Sequence, residues 1–168
     1  MIQPAIPNDD CQRVAALSAA NLLETPSEEA FDRVTRLAQA IFRVPIALVS
    51  LVDAKRQWFK SRQGLEATET PREISFCGHA ILGDDILIVE DASRDERFHD
   101  NPLVTGDPHI RFYAGCPVRA PNGHRIGTLC IIGREARSCV QCQHRHHGQD
   151  YPFEPTFHRN SCHRPPAT

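Results

Sequence analysis

The polar and apolar positions of the chain follow two rhythms. Over residues 46–52 the run IALVSLV is β-branched and apolar nearly throughout, the pattern of a strand covered on both faces. Before it, Phe31, Val34, Leu37, Ala38, Ile41 and Phe42 recur at three- and four-residue spacing, which predicts an amphipathic helix stopped by Pro45. Thr25-Pro26-Ser27-Glu28 reads as its capping box, with Thr25 as N-cap, Pro26 in the first helical position and Glu28 returning a hydrogen bond. A weaker helical pattern over residues 11–23 places Val14, Leu17, Asn21 and Leu22 on one side.

After the central run, residues 57–62 alternate Trp58, Lys60 and Arg62 with Gln57, Phe59 and Ser61, so the two segments form a hairpin turning at residues 53–56. Residues 64–73 read as a loop, and 75–82 as a short helix capped by Ser75. Leu87-Ile88-Val89 gives a short strand, followed by a long polar connection with one helical turn near residues 95–98. Residues 112–119 and 125–132 form a second hairpin around Asn122-Gly123, the strongest short hairpin signal. The sum is an α+β fold with helices on an antiparallel sheet.

The composition changes after Arg137. Residues 138–168 hold three of the seven cysteines, five of the nine histidines and four prolines, but their only aliphatic side chain larger than Ala is Val140. Such a segment lacks the apolar surface that offsets the entropy of ordering, and it is expected to be disordered. The chain therefore divides into an N-terminal flanking segment with a helix (1–19), one folded domain (20–137) and a tail (138–168). Within the tail, Cys139 and Cys142 with His158 and Cys162 have spacing compatible with tetrahedral zinc, but without a core-forming pattern no metal is expected there.

The formal charge of −2 excludes a basic footprint for nucleic acid. With no signal-like leader and no long apolar run, a cytoplasmic location without membrane partners is expected. Cys11, Cys77, Cys116 and Cys130 are expected to be free thiols.

The ordered succession LLETPSEEAFDRVTRLAQAIFRVPIALVSLVD, QWFKSRQGL, PREISFCGHAIL, IVEDASRDERFHDNPLV and IRFYAGCPVRAPNGHRIGTLCII resembles the bacterial GAF domains found upstream of diguanylate cyclase or histidine kinase domains. The resemblance spans roughly residues 20–133 and is carried by whole segments, not by one motif. It implies a six-stranded antiparallel sheet flanked by helices, with a small-molecule pocket between sheet and loops. Related domains bind cyclic nucleotides, haem, bilins or other small ligands and signal through helices to an output domain. The resemblance also implies a C-terminal helix and an output domain, which the residues after 133 do not match, so both are expected to be missing, with a truncation or frame shift near residues 133–138 as the expected cause.

The same resemblance places Cys77 and His79 in the helix that lines the pocket. Photoreceptor members attach a bilin to a Cys followed directly by His, whereas Gly78 intervenes here. Arg94, Arg97, His109 and Arg111 add donors around the long loop, and Phe98, Phe112 and Tyr113 can stack on a planar ligand. The candidate ligand site is thus Cys77, His79, Arg97, Phe98, His109, Arg111 and Tyr113. The bland reading pairs Arg97 with Asp91 or Asp95 to pin the loop and leaves Trp58 as packing. No nucleophile elbow, metalloprotease motif or phosphate loop occurs.

The leading expectation is a regulatory module for an unidentified small-molecule ligand, with no cofactor named by the residues. One alternative is a thiol-based redox sensor or reductase using Cys77 with Cys116 or Cys130, which requires two sulfurs within bridging reach. The other is a structural homodimer formed through the N-terminal helices, its pocket filled by side chains.

Overall fold

The run IALVSLV forms β1 (Ile46–Val52), an interior strand whose seven residues are all buried because both of its faces are covered. The computed structural model describes residues 1–138. The remaining elements are α1 (Asp10–Ala19), α2 (Glu29–Phe42), β2 (Arg56–Gln63), β3 (Glu69–Pro71), α3 (Phe76–Ala80), β4 (Leu87–Val89), α4 (Pro102–Thr105), β5 (Phe112–Arg119) and β6 (Arg125–Gly133). They build one six-stranded antiparallel sheet in the order β3-β2-β1-β6-β5-β4. The fold is α+β, as the pattern predicts, and β1 and β6 are its interior pair, in register from Ile46 opposite Ile132 to Leu51 opposite Gly127.

Alternation along β1 and β6 separates two cores. Ile46, Leu48, Val52, Cys130 and Ile132 face α3 and the loops beyond it, with Phe76, Ile81, Phe98 and Tyr113. Ala47 and Ile131 face α2, beneath Ala38 and Val44. At the end of the sheet, Ala16 and Leu17 of α1 cover Leu51, Ala120 and Ile126, and Trp58 packs against that group.

Two local expectations are corrected. Thr25 does not cap α2, whose N-cap is Glu28 without a side-chain bond. Its hydroxyl instead donates to the Leu22 carbonyl at 2.8 Å and accepts from Lys60 Nζ at 2.5 Å. The cause is a bulge in β2. Ser50 pairs with Phe59 and Val49 with Ser61, so Lys60 is the extra residue, and it turns inward to bond the Pro26 carbonyl at 2.9 Å and the Glu28 carboxylate.

The apolar stripe of α2 stays outside, because the helix docks by a different face. Thr35 and Ala38 are its buried residues. Thr35 Oγ1 lies 2.8 Å from Ser61 Oγ, which donates to Asp32 at 2.5 Å, while Val34, Leu37, Ile41 and Phe42 remain exposed.

The second correction is that the loop expected over residues 64–73 contains the edge strand β3, while Asn101-Pro102 opens α4, whose first turn Asn101 caps by accepting from Leu103 N at 2.9 Å. The predicted turn at residues 95–98 is present as Phe98 and His99 amides donating to the Asp95 carbonyl, each at 2.9 Å. The β5–β6 hairpin closes with Gly123 N donating to the Ala120 carbonyl at 2.8 Å, and Gly123 takes the φ of 87° that the turn needs.

The described residues end shortly after β6. The expectations of a missing C-terminal helix, a disordered tail and no zinc at Cys139 and Cys142 lie outside them. Among the described residues, no helix is long and apolar enough to cross a membrane.

Candidate functional site

α3 is held over the sheet by its own cap and by the chain's first residues. Ser75 Oγ accepts from Gly78 N at 3.0 Å and donates to the Arg72 carbonyl at 2.8 Å, so the helix starts where the sequence places it. An extended N-terminal segment then crosses the outer side of α3. Ile2 N donates to the Arg97 carbonyl at 3.0 Å, and Pro4 packs so close to Gly78 that a Cβ there would meet the proline ring at 2.8 Å.

Beneath α3 lies a cavity of about 90 Å³ between the sheet and the loops. Its walls are mostly apolar, from Ile46, Leu48, Phe59, Phe76, Leu103 and Ile110, and a few polar groups converge on it from Gln57, Thr70, Cys77, Asp107 and Tyr113. Gln57 Nε2 donates to Thr70 Oγ1 at 2.6 Å, and the Ser50 hydroxyl donates to Gln57 Oε1 at 3.3 Å. Tyr113 OH donates to Cys77 Sγ at 3.4 Å, and Cys130 Sγ lies 3.9 Å from Cys77 Sγ. Burial pushes the Tyr113 phenol well above its ordinary range, so it stays a donor.

The seven candidate residues are not gathered at one point. Cys77 and Tyr113 line the cavity. Phe98 is buried in the wall behind, its ring stacked on Phe76 with centroids 4.0 Å apart. His79 sits on the outer side of α3, its Nε2 3.0 Å from the Ile2 carbonyl and its ring edge-on to Phe98. Desolvation holds its pKa below the usual value, opposed by that carbonyl.

The three remaining candidates lie in the loop region. Arg97 is clamped to Asp95 at 2.9 and 2.7 Å and lies over Phe98. Arg111 is clamped to Asp91 at 2.8 and 2.9 Å. His109 is exposed, in the left-handed region with φ 59°. Thus the bland reading describes Arg97, with Asp95 as the partner.

Gln57 and Thr70 were not singled out from the sequence. Gln57 shares the inward side of β2 with Phe59, and a polar residue on that side is the available signal. Thr70 gives none, because its three-residue strand carries no periodic pattern.

A second, larger groove of about 290 Å³ opens on the other side of the sheet between α2 and β4–β6. It is lined by Ala38, Phe42, Ile86, Ile88, Phe112, Ala114, Cys116, Leu129 and Ile131, with no charged group. Convergent polar groups are what distinguish a ligand site from bare apolar surface, and they favour the smaller cavity. Among the described residues, no group of three or more His, Cys, Asp or Glu could hold a metal ion.

A family model described as GAF domain matches residues 26–150. A protein from Pseudomonas aeruginosa named as a cyclic di-GMP phosphodiesterase is 45% identical over 137 residues, covering 82% of this chain. The chain spans 23% of the length of that relative. The fold is similar to the GAF domain of an Acinetobacter phosphoenolpyruvate-protein phosphotransferase, with TM-score 0.53 and 16% identity, covering 76% of this chain and 80% of that one. It is also similar to a type II free methionine-R-sulfoxide reductase from Thermoplasma acidophilum, with TM-score 0.53 and 14% identity over 78% of this chain and 84% of that one.

Proposed function

This chain belongs to the GAF domain family, and from that premise we propose that it senses a small molecule in the cavity beneath α3 and regulates an output region of a longer protein. The observation that carries the reading is the convergence of Cys77, Tyr113, Gln57 and Thr70 on an otherwise apolar space. Polar groups of this kind orient a ligand, and the apolar walls supply most of its binding energy.

The size of the cavity narrows the ligand class. About 90 Å³ is far below the roughly 300–1,000 Å³ of drug-sized sites. It suits a molecule of a few heavy atoms with one or two hydrogen-bonding groups. A cyclic dinucleotide is too large for it, so the nucleotide in the relative's name belongs, on this reading, to the output and not to the sensor.

The module itself is regulatory and not catalytic. Its expected output, from the name of the 45% identical relative, is a cyclic di-GMP phosphodiesterase region and not the cyclase or kinase suggested by the resemblance. Ligand binding shifts such an output only by favouring one of two arrangements of the sensor.

Native mass spectrometry of the full chain, followed by thermal unfolding against a panel of small polar and apolar molecules, tests the reading. The expected result is a bound small molecule or a midpoint that rises with ligand concentration, as binding to the native state requires. No adduct and no shift with any member of the panel would leave the space as core packing and favour the structural dimer.

A further inference from the structure

Cys77 in α3 and Cys130 in β6 bring two buried sulfurs to 3.9 Å from one another. A disulfide requires about 2.05 Å, so the sulfurs have roughly 2 Å to close, through rotation of the side chains and a small approach of α3 to the sheet. The pair is asymmetric. Cys77 lines the cavity, while Cys130 stands behind it in the central strand pair. One sulfur therefore meets the space that a small oxidant can occupy, and the other is placed to resolve the product.

Cys116 cannot take the second role. It lines the groove on the opposite side of the sheet, which removes it from the pairing considered from the sequence. Cys11 is exposed.

We propose that Cys77 and Cys130 form a hydroperoxide-responsive dithiol, in which oxidation ties α3 to β6 next to the cavity. In the first step the Cys77 sulfur attacks the O–O bond of a hydroperoxide. An S–O bond forms, the O–O bond breaks, and the leaving oxygen takes the thiol proton and departs as an alcohol, or as water from hydrogen peroxide. The sulfur is oxidised by two electrons to a sulfenic acid and the peroxide is reduced. In the second step Cys130 attacks the Cys77 sulfur, the S–O bond breaks, and the hydroxyl leaves with the Cys130 proton as water.

The surroundings favour Cys77 as the attacking group. Tyr113 OH donates to its sulfur at 3.4 Å, which stabilises the thiolate. The Cys130 thiol beside it, the largest influence, lowers the Cys77 pKa against the opposing pull of burial.

The test uses the full chain, fully reduced, then exposed to stoichiometric hydrogen peroxide, denatured in an alkylating agent and mapped by mass spectrometry. The expected product is a Cys77–Cys130 cross-linked peptide that dithiothreitol removes and that persists in a Cys11→Ser, Cys116→Ser double variant. In Cys130→Ala, a sulfenic-acid probe should label Cys77 instead. The wild-type map decides the matter even if that variant does not fold. Recovery of Cys77 and Cys130 as fully alkylated thiols, at doses that oxidise Cys11 and Cys116, would overturn the proposal. Indiscriminate cross-linking of Cys77 to the other cysteines would do the same. Neither outcome depends on whether the cavity binds a ligand.

Discussion

Arg72 grips Asp10 with both arms of its guanidinium, Nη2 to Oδ1 at 2.8 Å and Nη1 to Oδ2 at 2.9 Å. The pair ties the first turn of α1 to the turn that follows β3. Asp10 also accepts from Arg13 Nε at 2.8 Å, and both arginines are almost fully buried. One carboxylate thus serves two buried cations, and Asp10→Asn removes the charge that both of them hydrogen-bond. The expected loss is about 3 kcal/mol in urea unfolding at neutral pH, the scale of breaking a buried ion pair. A loss below half a kcal/mol would show that water compensates the arginines.

The same carboxylate gives a pH dependence. Hydrogen bonding from Arg72 lowers the Asp10 pKa, burial opposes it, and Arg13 adds to the lowering. Because the folded-state value lies below the unfolded one, the contribution is complete above the unfolded value, about 3.9, and fades as pH falls through the depressed folded value. Between neutral pH and pH 3 the wild type should lose more stability than Asp10→Asn. Parallel losses would assign the acid sensitivity to other carboxylates.

Leu48, 2% exposed in β1, lines the cavity. Leu48→Ala should cost about 2–5 kcal/mol, because the site already borders empty space and gains little by relaxing. It should also admit larger apolar molecules, seen as a thermal midpoint rescued by ligands that leave the wild type unaffected. A cost under 1 kcal/mol would argue that the walls collapse around the truncation.

Asn101 joins α4 to the turn ahead of α3. Its Nδ2 donates to the Ile74 carbonyl at 2.9 Å, its Oδ1 caps α4, and it is 1% exposed. Asn101→Ala removes the cap and strands a buried carbonyl, so a loss of about 2 kcal/mol is expected. Asn101→Asp keeps the cap and should recover part of it. Equal loss in the two variants would mean that the bond to Ile74 carries the effect.

Leu37 and Ile41 are 54% and 57% exposed on α2, one turn apart, beside the apolar groove. We expect the full chain to self-associate through this face, and Leu37→Lys with Ile41→Glu to yield a monomer in sedimentation velocity. The unfolding free energy should change by no more than about 0.5 kcal/mol, as at other solvent-facing positions. An unchanged sedimentation profile would place any association elsewhere.

How much of this was legible in the sequence depended on how local the cause was. β1 announced itself because seven consecutive buried positions exclude polar side chains other than Ser50. The capping box failed because its threonine was claimed by Lys60, a residue whose inward turn depends on a bulge set by pairing with β1. The stripe of α2 is apolar, as its spacing shows, but which face docks is set elsewhere, by Thr35 and Ala38 and by hydrogen bonds with Ser61. At the site, Cys77 and Tyr113 reach the cavity, but Arg97 and Arg111 are engaged by Asp95 and Asp91, contacts that charge spacing alone does not fix.

The register of β1 against β6 has a kinetic side. Each hairpin, β1 with β2 and β5 with β6, joins neighbours in the sequence and needs only a short turn to close. The central pair joins strands separated by about 70 residues of intervening chain, whose entropy is lost before the contacts between β1 and β6 return anything. The cavity beneath α3, whose walls come from both hairpins, exists only after that closure. Any partly folded state that holds the hairpins but not their junction has two more unpaired strand edges than the finished sheet and no binding site, and it is in that state that the chain is most exposed to edge-to-edge aggregation.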